Sequence, residues 1–573
     1  INGEPASVSK GLLTTLLREK MGFGGLCISD YGGIGNAHDC QHVAETMEEA
    51  GQMALEAGMD IEMPNPAGYG EKFLEMFRNG KADMTILDRA VLRVLTAKFR
   101  MGLFEHPFAL QGEELRQVFG DEKDREISLQ SARESMVLLK NNGILPLAQD
   151  VKKIALIGPH ADSARKFFGG YTHMCMMEST YAIANSIAGV SGSENVDNKE
   201  IVTIPGTNIQ SDETEEFDLI LKRQKPDCRS FLEELKTRMP ETEIKYAYGY
   251  YIAGTDESHF EEALRVAEEA DVIILTLGGK HGTCSMASMG EGVDASNINL
   301  PEGQDAFIRK AAKLGKPMIG VHFDGRPISS DVADECLDAI LEAWNPSEAG
   351  AEAVVDVLLG VYNPSGKMPV TTAYNAGQIP IYYNHLYNSS WHQAGSIGFL
   401  NYVDLPHTPR YYFGHGLSYT EFTYSNLRIS AVKTSETDAS CGENETANEV
   451  CIPADGRVRI EAEIENTGMY EGCEVVQLYL RDVYASMARP VKELAGFKRV
   501  TLKPGEKKTV VFEVEASQMA FLDTDMQWKV EKGTILVEVG SSSEDIRLNG
   551  VYKVIGNCWI EGQDRAFYAK AFV

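Results

Sequence analysis

The chain runs to 573 residues, is 43% apolar and 24% charged, and carries a net charge of −30. That length exceeds one hydrophobic core and implies about three or four domains at roughly 150 residues each. So acidic a chain, with no basic patch, is excluded as a nucleic-acid binder, and no apolar run of about 18 residues offers a membrane span.

Residues 1–105 read as the end of an alternating β/α pattern. Ser9 to Met21 is predicted helical, with Leu12, Leu13, Leu16 and Leu17 on one face. Phe23 to Asp30 reads as a short buried strand that follows a glycine turn and ends in an acid. His42–Ala57 is helical, Gly58–Pro64 is a second strand, and Leu87–Met101 is an amphipathic helix. These are the shapes of the last units of a (β/α)8 barrel, which needs eight strands and about 250 residues. The front of the barrel, about six strands, is therefore expected from residues upstream of Ile1, as is any targeting signal.

Residues 106–130 read as a charged connector. From 131 to 385 an α/β rhythm resumes. Strands are predicted at Ile154–Ile157, Val272–Leu277, Met318–Phe323 and Ala339–Ala343. Helices are predicted at Ser131–Leu139, Glu261–Glu269, Asp305–Leu314 and Ala351–Leu359. The pattern predicts an open, mostly parallel sheet covered on both faces, an α/β/α sandwich. Tyr374–Leu417 is rich in Tyr, His, Asn and Pro, and 386–423 is taken as a linker. From 424 to 573 short alternating strands recur at Arg457–Glu465, Val475–Leu480, Thr509–Val514 and Thr534–Val539, with turns at Asn466–Gly468 and Pro504–Gly505. That spacing predicts a β-sandwich of the fibronectin III type, with Ser435–Asp455 as a polar loop inside it.

The 10 cysteines contain no CxxC pair, which disfavours a thiolate metal cluster. Free thiols are favoured over a Cys441–Cys451 bridge, and a cytoplasmic location over a secreted one. The glycosylation tripeptides at Asn388 and Asn444 carry little weight, because such matches arise often by chance.

Asp30 is the first residue with a chemical reading. An acid at the C-terminal end of a barrel strand faces the catalytic mouth. Tyr31 beside it can stack on a sugar, and Gly32 and Gly33 allow close approach. In isolation an Asp after a strand is more often a cap or turn residue, so the surroundings decide. Asn2-Gly3-Glu4-Pro5, Leu12-Leu13, Arg18-Glu19, Gly22-Phe23-Gly24-Gly25 and Ser29-Asp30-Tyr31-Gly32 stand at spacings that closely resemble glycoside hydrolase family 3. Ala57 to Pro64 resembles that family's next strand. Asn363 to Val370, Tyr412 to Thr420, Glu474 to Tyr479 and Arg489 to Leu494 resemble its later domains.

The resemblance implies a retaining β-glycosidase of three domains: barrel, α/β/α sandwich and fibronectin III-like sandwich. Asp30 would be the nucleophile. Gly290-Glu291-Gly292-Val293-Asp294 before Leu300-Pro301-Glu302-Gly303-Gln304 resembles the family's acid/base setting, which makes Glu291 the acid/base. Partial burial is expected to let Glu291 start protonated. Where the family usually has Arg after that Asp, this chain has Ala295, which puts the order of the loop in question. Tyr31, Glu62, Met63 and Tyr171 are the expected substrate-binding residues. His160 and the run Phe167 to Tyr171 follow a strand where a ligand crevice can form. His322 and Asp324 are read as structural.

No cofactor is implied, and no metal-ligand or phosphate-loop spacing stands out. The expected reaction is hydrolysis of terminal non-reducing β-D-glucosyl residues, with the two carboxyl groups about 5–5.5 Å apart. A β-xylosidase or dual-specificity enzyme is the alternative in class, since Ser29-Asp30-Tyr31 and His42-Val43-Ala44 resemble members acting on xylosides. The alternative of another class is a non-catalytic fragment or carbohydrate-binding module. An unfinished barrel would bare apolar surface and call for a partner, either an N-terminal segment or a second copy of the chain.

Overall fold

In the computed structural model, residues 2–118, 122–179, 182, 202–211, 215–387, 401–432 and 450–573 are described. Asn388, Cys441 and Asn444 lie outside them. The chain forms two units, one extending to Glu122 and the other running from Lys123 onward.

In the first unit, β1 (Ile28–Tyr31) and β2 (Ile61–Met63) pair in parallel, Ile28 opposite Ile61 and Tyr31 opposite Met63. The helix between them, Met47–Ala57, starts later than its pattern suggests because Thr46 caps it, accepting a bond from the Glu49 amide. It stops at Gly58, whose φ of 109° suits glycine. Small residues let it sit deep: a Cβ on Gly51 would lie 2.1 Å from the Gly68 carbonyl oxygen. Ala50 and Ala54 pack with Val8, Cys27, Ile34 and Met59. Gly11–Lys20 is helical as expected, but wound wider than an α-helix. Glu71–Arg78, a helix the pattern did not suggest, adds Phe73 and Phe77 to a second cluster with Leu55 and Ala90. The helix Met84–Arg100 leaves Leu92, Leu95 and Phe99 exposed.

Asp60, 1% exposed at its side chain, ties these pieces together. It accepts hydrogen bonds from Arg18 at 2.8 Å, Arg93 at 3.0 Å and the Cys27 amide at 3.0 Å.

The second unit holds a six-stranded sheet. Its strands are β3 (Val137–Asn141), β4 (Lys153–Ile157), β5 (Glu243–Ala247), β6 (Val272–Gly278), β7 (Met318–Phe323) and β8 (Ala339–Glu342), in the order 3-8-7-6-4-5. All pair in parallel except β3, which runs antiparallel to β8. Both faces are covered, so every residue of β6 is buried. Ile154, Leu156, Ile319, Val321 and Leu341 face the helices Phe231–Arg238 and Gly350–Leu358. Ala155, Ile157, Ile273, Leu275 and Ile340 face Phe260–Glu268 and Glu302–Ala312.

Three expectations are corrected here. The connector 106–130 contains the helix Gly112–Val118 and most of Glu122–Ser135. The predicted helix Ser131–Leu139 ends at Ser135, and Val137–Asn141 is strand β3. A short apolar run buried on both sides carries no period that separates helix from strand. The stretch taken as a linker is anchored on the sheet domain: Arg410 bonds Ser329, Asp331 and Asp334, the Tyr411 hydroxyl donates to Asp334 at 2.6 Å, and His415 bonds the Leu139 carbonyl at 3.0 Å.

Beyond residue 420 the described elements are strands, apart from short 3-10 turns at Ala516–Met519 and Gly562–Asp564: β9 (Phe422–Ala431), β10 (Cys451–Pro453), β11 (Arg457–Asn466), β12 (Gly472–Asp482), β13 (Glu493–Leu502), β14 (Lys507–Glu515), β15 (Phe521–Leu522), β16 (Trp528–Val530), β17 (Gly533–Gly540), β18 (Ile546–Ile555), β19 (Cys558–Ile560) and β20 (Lys570–Phe572). Sheets 10-18-17-12-13 and 20-14-11-9 form the sandwich. In β11, Val458, Ile460, Ala462 and Ile464 point inward and are fully buried. Cys451 is disulfide-bonded, which overturns the expectation of a free thiol there. Among the described residues no helix is long and apolar enough to cross a membrane.

Candidate active site

In the first unit the end of β1 is locked from several sides. The Ser29 hydroxyl accepts a bond from the Met63 amide at 2.9 Å and donates to the Asp30 carbonyl at 2.8 Å. The Gly32 amide reaches the Met63 carbonyl, and the Gly33 amide the Asp30 carbonyl, each at 2.9 Å. Gly32 takes a φ of 67°, which turns the chain away from the strand end. The Asp30 carboxylate stays exposed and accepts the Tyr31 amide at 2.7 Å. Tyr31 is exposed beside it. Met63, opposite Tyr31 on β2, is half-buried. Glu62 is committed elsewhere: its carboxylate accepts the amides of Gly68 at 2.9 Å and Tyr69 at 2.7 Å, pinning that turn. It thereby shapes the loop after β2.

In the second unit Glu291 stands on the loop that leaves the C-terminal end of β6, where doubly wound sheets hold their ligands. Two glycines make the loop possible. Gly278 has a φ of 107°, and a Cβ there would meet the Phe323 carbonyl oxygen at 2.3 Å. Gly290 has a φ of 133°, and its Cβ would meet the Gly282 carbonyl oxygen at 2.0 Å. The loop folds back on itself through the Gly282 amide to the Met289 carbonyl at 2.9 Å, and it turns at Gly290–Val293. Ala295 thus follows a tightly turned segment despite the missing Arg.

Tyr171 is brought to Glu291: its hydroxyl donates to the carboxylate. Tyr171 sits at a φ of 63° after Gly169 and Gly170, and the Gly170 amide donates to His281 Nδ1 at 2.7 Å. Burial, with the neighbouring Lys280 charge, lowers the His281 pKa and keeps the imidazole neutral, as an acceptor must be. Glu291 itself is exposed, not partly buried as expected.

Beneath the loop lie polar groups whose role spacing alone did not reveal. Lys280, fully buried, pairs with Glu178 at 2.6 Å, and Glu178 pairs with Arg165 at 3.2 Å. Burial works against the Lys280 charge, but the Glu178 carboxylate outweighs it and raises the ammonium's pKa. Gln304, from the Leu-Pro-X-X-Gln string, accepts the Gly278 amide at 2.9 Å and donates to the Gly278 carbonyl at 2.8 Å. That residue therefore closes the backbone of the strand end from which the loop springs. His160, buried and stacked on Phe323, donates from Nε2 to the Gly279 carbonyl at 2.8 Å. It is a prop for the loop and not part of a crevice wall. A cleft of about 370 Å³ lined by Gly279, Ser288, Asn297 and Arg326 opens alongside.

Each unit thus presents one exposed carboxylate, Asp30 at the end of β1 and Glu291 on the loop after β6, the latter holding an aromatic hydroxyl, and carboxylates of this kind are the groups that glycoside hydrolysis uses. Comparison with known proteins points the same way. Residues 1–97 match the Glycosyl hydrolase family 3 N terminal domain, 136–419 the Glycosyl hydrolase family 3 C-terminal domain and 474–543 the Fibronectin type III-like domain. A periplasmic beta-glucosidase of Salmonella typhimurium is 34% identical over 96% of this chain, and a beta-xylosidase of Formosa agariphila is 32% identical over 95%. The chain spans 66% of the length of each. A mutant beta-glucosidase from Listeria innocua, solved in complex with laminaribiose, superposes with a TM-score of 0.78 at 30% identity, covering 97% of this chain and 66% of that one. Matched along its barrel-type, sandwich and fibronectin-like segments alike, the chain belongs to glycosyl hydrolase family 3.

Proposed function

We propose that the protein is a retaining exo-acting β-glycosidase that removes terminal β-D-glucosyl residues from the non-reducing end of glycosides or oligosaccharides. The Asp30 carboxylate attacks the anomeric carbon while Glu291 passes its proton to the departing oxygen, leaving a glycosyl ester on Asp30. Glu291 then takes a proton from water, which attacks the same carbon and frees both the sugar and Asp30. The Tyr171–Glu291 hydrogen bond supports this reading: it orients the Glu291 carboxylate within the glycine-built loop. Tyr31 and Met63, beside Asp30, are assigned to the sugar site. A β-xylosidase activity is the second reading, supported by the relative of that name.

The test is turnover of aryl β-glucoside and aryl β-xyloside by the 573-residue chain, with Asp30→Asn, Glu291→Gln and Tyr171→Phe. Asp30→Asn should remove activity by at least about 10⁴-fold, and Tyr171→Phe should lower kcat by about tenfold. A 2-fluoro-glycoside should leave a sugar mass on the peptide containing Asp30. Full activity in Asp30→Asn, or the label on another peptide, would overturn the assignment. The glucoside-to-xyloside ratio separates the two readings.

A further inference from the structure

The C-terminal ends of β7 and β8 hold a second group of ionisable side chains that the glycosidase reading does not use. His322 on β7 stands directly opposite Glu342 on β8. Asp324 follows His322 by two residues. His322 and Glu342 lie on the sheet face that also carries Met318 and Ile340. His322 is 3% exposed, Asp324 0% and Glu342 1%. One ligand atom from each falls within 4.8 Å of the others, and His322 Nδ1 lies 3.8 Å from Glu342 Oε2.

The three are poorly satisfied as they stand. Both nitrogens of His322 and both oxygens of Asp324 lack a hydrogen-bond partner among the described residues. Glu342 Oε1 accepts only the Trp344 amide, at 3.0 Å. The Arg326 charge and its backbone amide both act on Asp324, but the amide lies outside good hydrogen-bond geometry for either carboxylate oxygen. Leaving such groups unpaired forfeits their hydration without replacement, and native interiors rarely tolerate several together.

We propose that His322, Asp324 and Glu342 form a buried binding site for a divalent transition metal of the zinc type. Three atoms no more than 4.8 Å apart share a point within about 2.8 Å of all of them, so small side-chain movements reach the ~2.0–2.2 Å of zinc bonded to imidazole and carboxylate. One nitrogen and two carboxylates suit zinc or manganese, whereas calcium asks for six to eight oxygens. The ion would take one His322 nitrogen and an oxygen of each carboxylate as ligands, and would offset the two buried carboxylates. It would also brace the Glu291 loop from below. Gly325, next to Asp324, donates its amide to Met289 Sδ at 3.2 Å, and a Cβ there would meet His281 Cδ2 at 2.5 Å.

The experiment uses the whole chain, purified without metal-affinity resin, stripped with chelator, incubated with Zn²⁺ or in parallel Mn²⁺ or Ca²⁺, and passed through gel filtration before metal counting. About one Zn²⁺ per chain should be retained, with a raised Tm, and both effects should vanish in Asp324→Asn and Glu342→Gln. No retained ion in the wild type, or equal retention in folded variants, would overturn the site and leave a proton-sharing packing cluster. Should the variants not fold, zinc-edge X-ray absorption of the wild type decides. One imidazole with oxygen neighbours supports the site, and sulfur or several imidazoles overturn it.

Discussion

At the scale of single residues, the two carboxylates assigned to the chemistry were legible because each sits in a long string of glycines and small residues at fixed spacing. Their surroundings were less so. Tyr171 and Glu291 are 120 positions apart, and only folding makes them partners. Glu62 shows the reverse: adjacent to a strand end and acidic, it is spent on the amides of Gly68 and Tyr69. A buried acid outside the site gives a separate prediction. Burial pushes the Asp482 carboxyl from 3.8 up to about 6, with Arg489 opposing and Glu531 adding to the rise. The folded state therefore holds a proton between these values that the unfolded chain has lost, and stability from this group falls as pH rises through about 6. Asp482→Asn should be more stable than the wild type by about 1–2 kcal/mol at pH 7.5, after allowance for solvent screening, with the gap closing by pH 4.5. Urea midpoints at the two pH values read it directly, and a gap independent of pH would contradict the assignment.

At the scale of elements, helix existence followed from periodicity, whereas boundaries followed from side chains. Thr46, Asp83 and Ser230 each cap a helix by accepting a backbone amide. The helix Glu71–Arg78 escaped notice because it spans only eight residues and presents two buried phenylalanines. The β3 strand was mistaken for helix because its apolar run is buried on both faces. What holds elements together is more often a buried ion than a pattern. Asp60 joins Arg18, before β1, to Arg93, on the helix Met84–Arg100. Asp60→Ala would strand Arg18, 8% exposed, without a counter-charge. The expected cost is about 3–5 kcal/mol, visible as early loss of the first unit in limited proteolysis. A change under about 0.5 kcal/mol would show the pair to be screened like a surface bridge.

At the scale of the molecule, the sheet domain and the β-sandwich of the second unit are joined by specific polar contacts. Arg499 on β13 donates to the Tyr362 hydroxyl at 2.7 Å and the Ser365 hydroxyl at 2.8 Å, and pairs with Glu134 at 3.5 Å. Lys367 pairs with Glu474 on β12 at 3.4 Å. Arg499→Ala removes charge-assisted bonds from this junction, about 1.5–3 kcal/mol each. In calorimetry the second unit should then melt in two resolved transitions where the wild type shows one. A single transition at unchanged temperature would mean that the junction rests on packing instead.

The sequence by itself determined the fold class, the all-β character of the last 150 residues or so and the family, and it singled out Asp30 and Glu291 as the carboxylates proposed for the chemistry. These rest on local strings and short periods, which survive without knowledge of distant contacts. Tertiary structure decided what long separations bring together: Tyr171 with Glu291, Lys280 with Glu178, Gln304 with the Gly278 backbone, and His322 and Asp324 with Glu342. His322 and Asp324 looked structural in the chain because a ligand set is defined by where strand β8 delivers its third member. Parallel pairing of β7 with β8, set by burial of both sheet faces, is the physical reason that Glu342 arrives there.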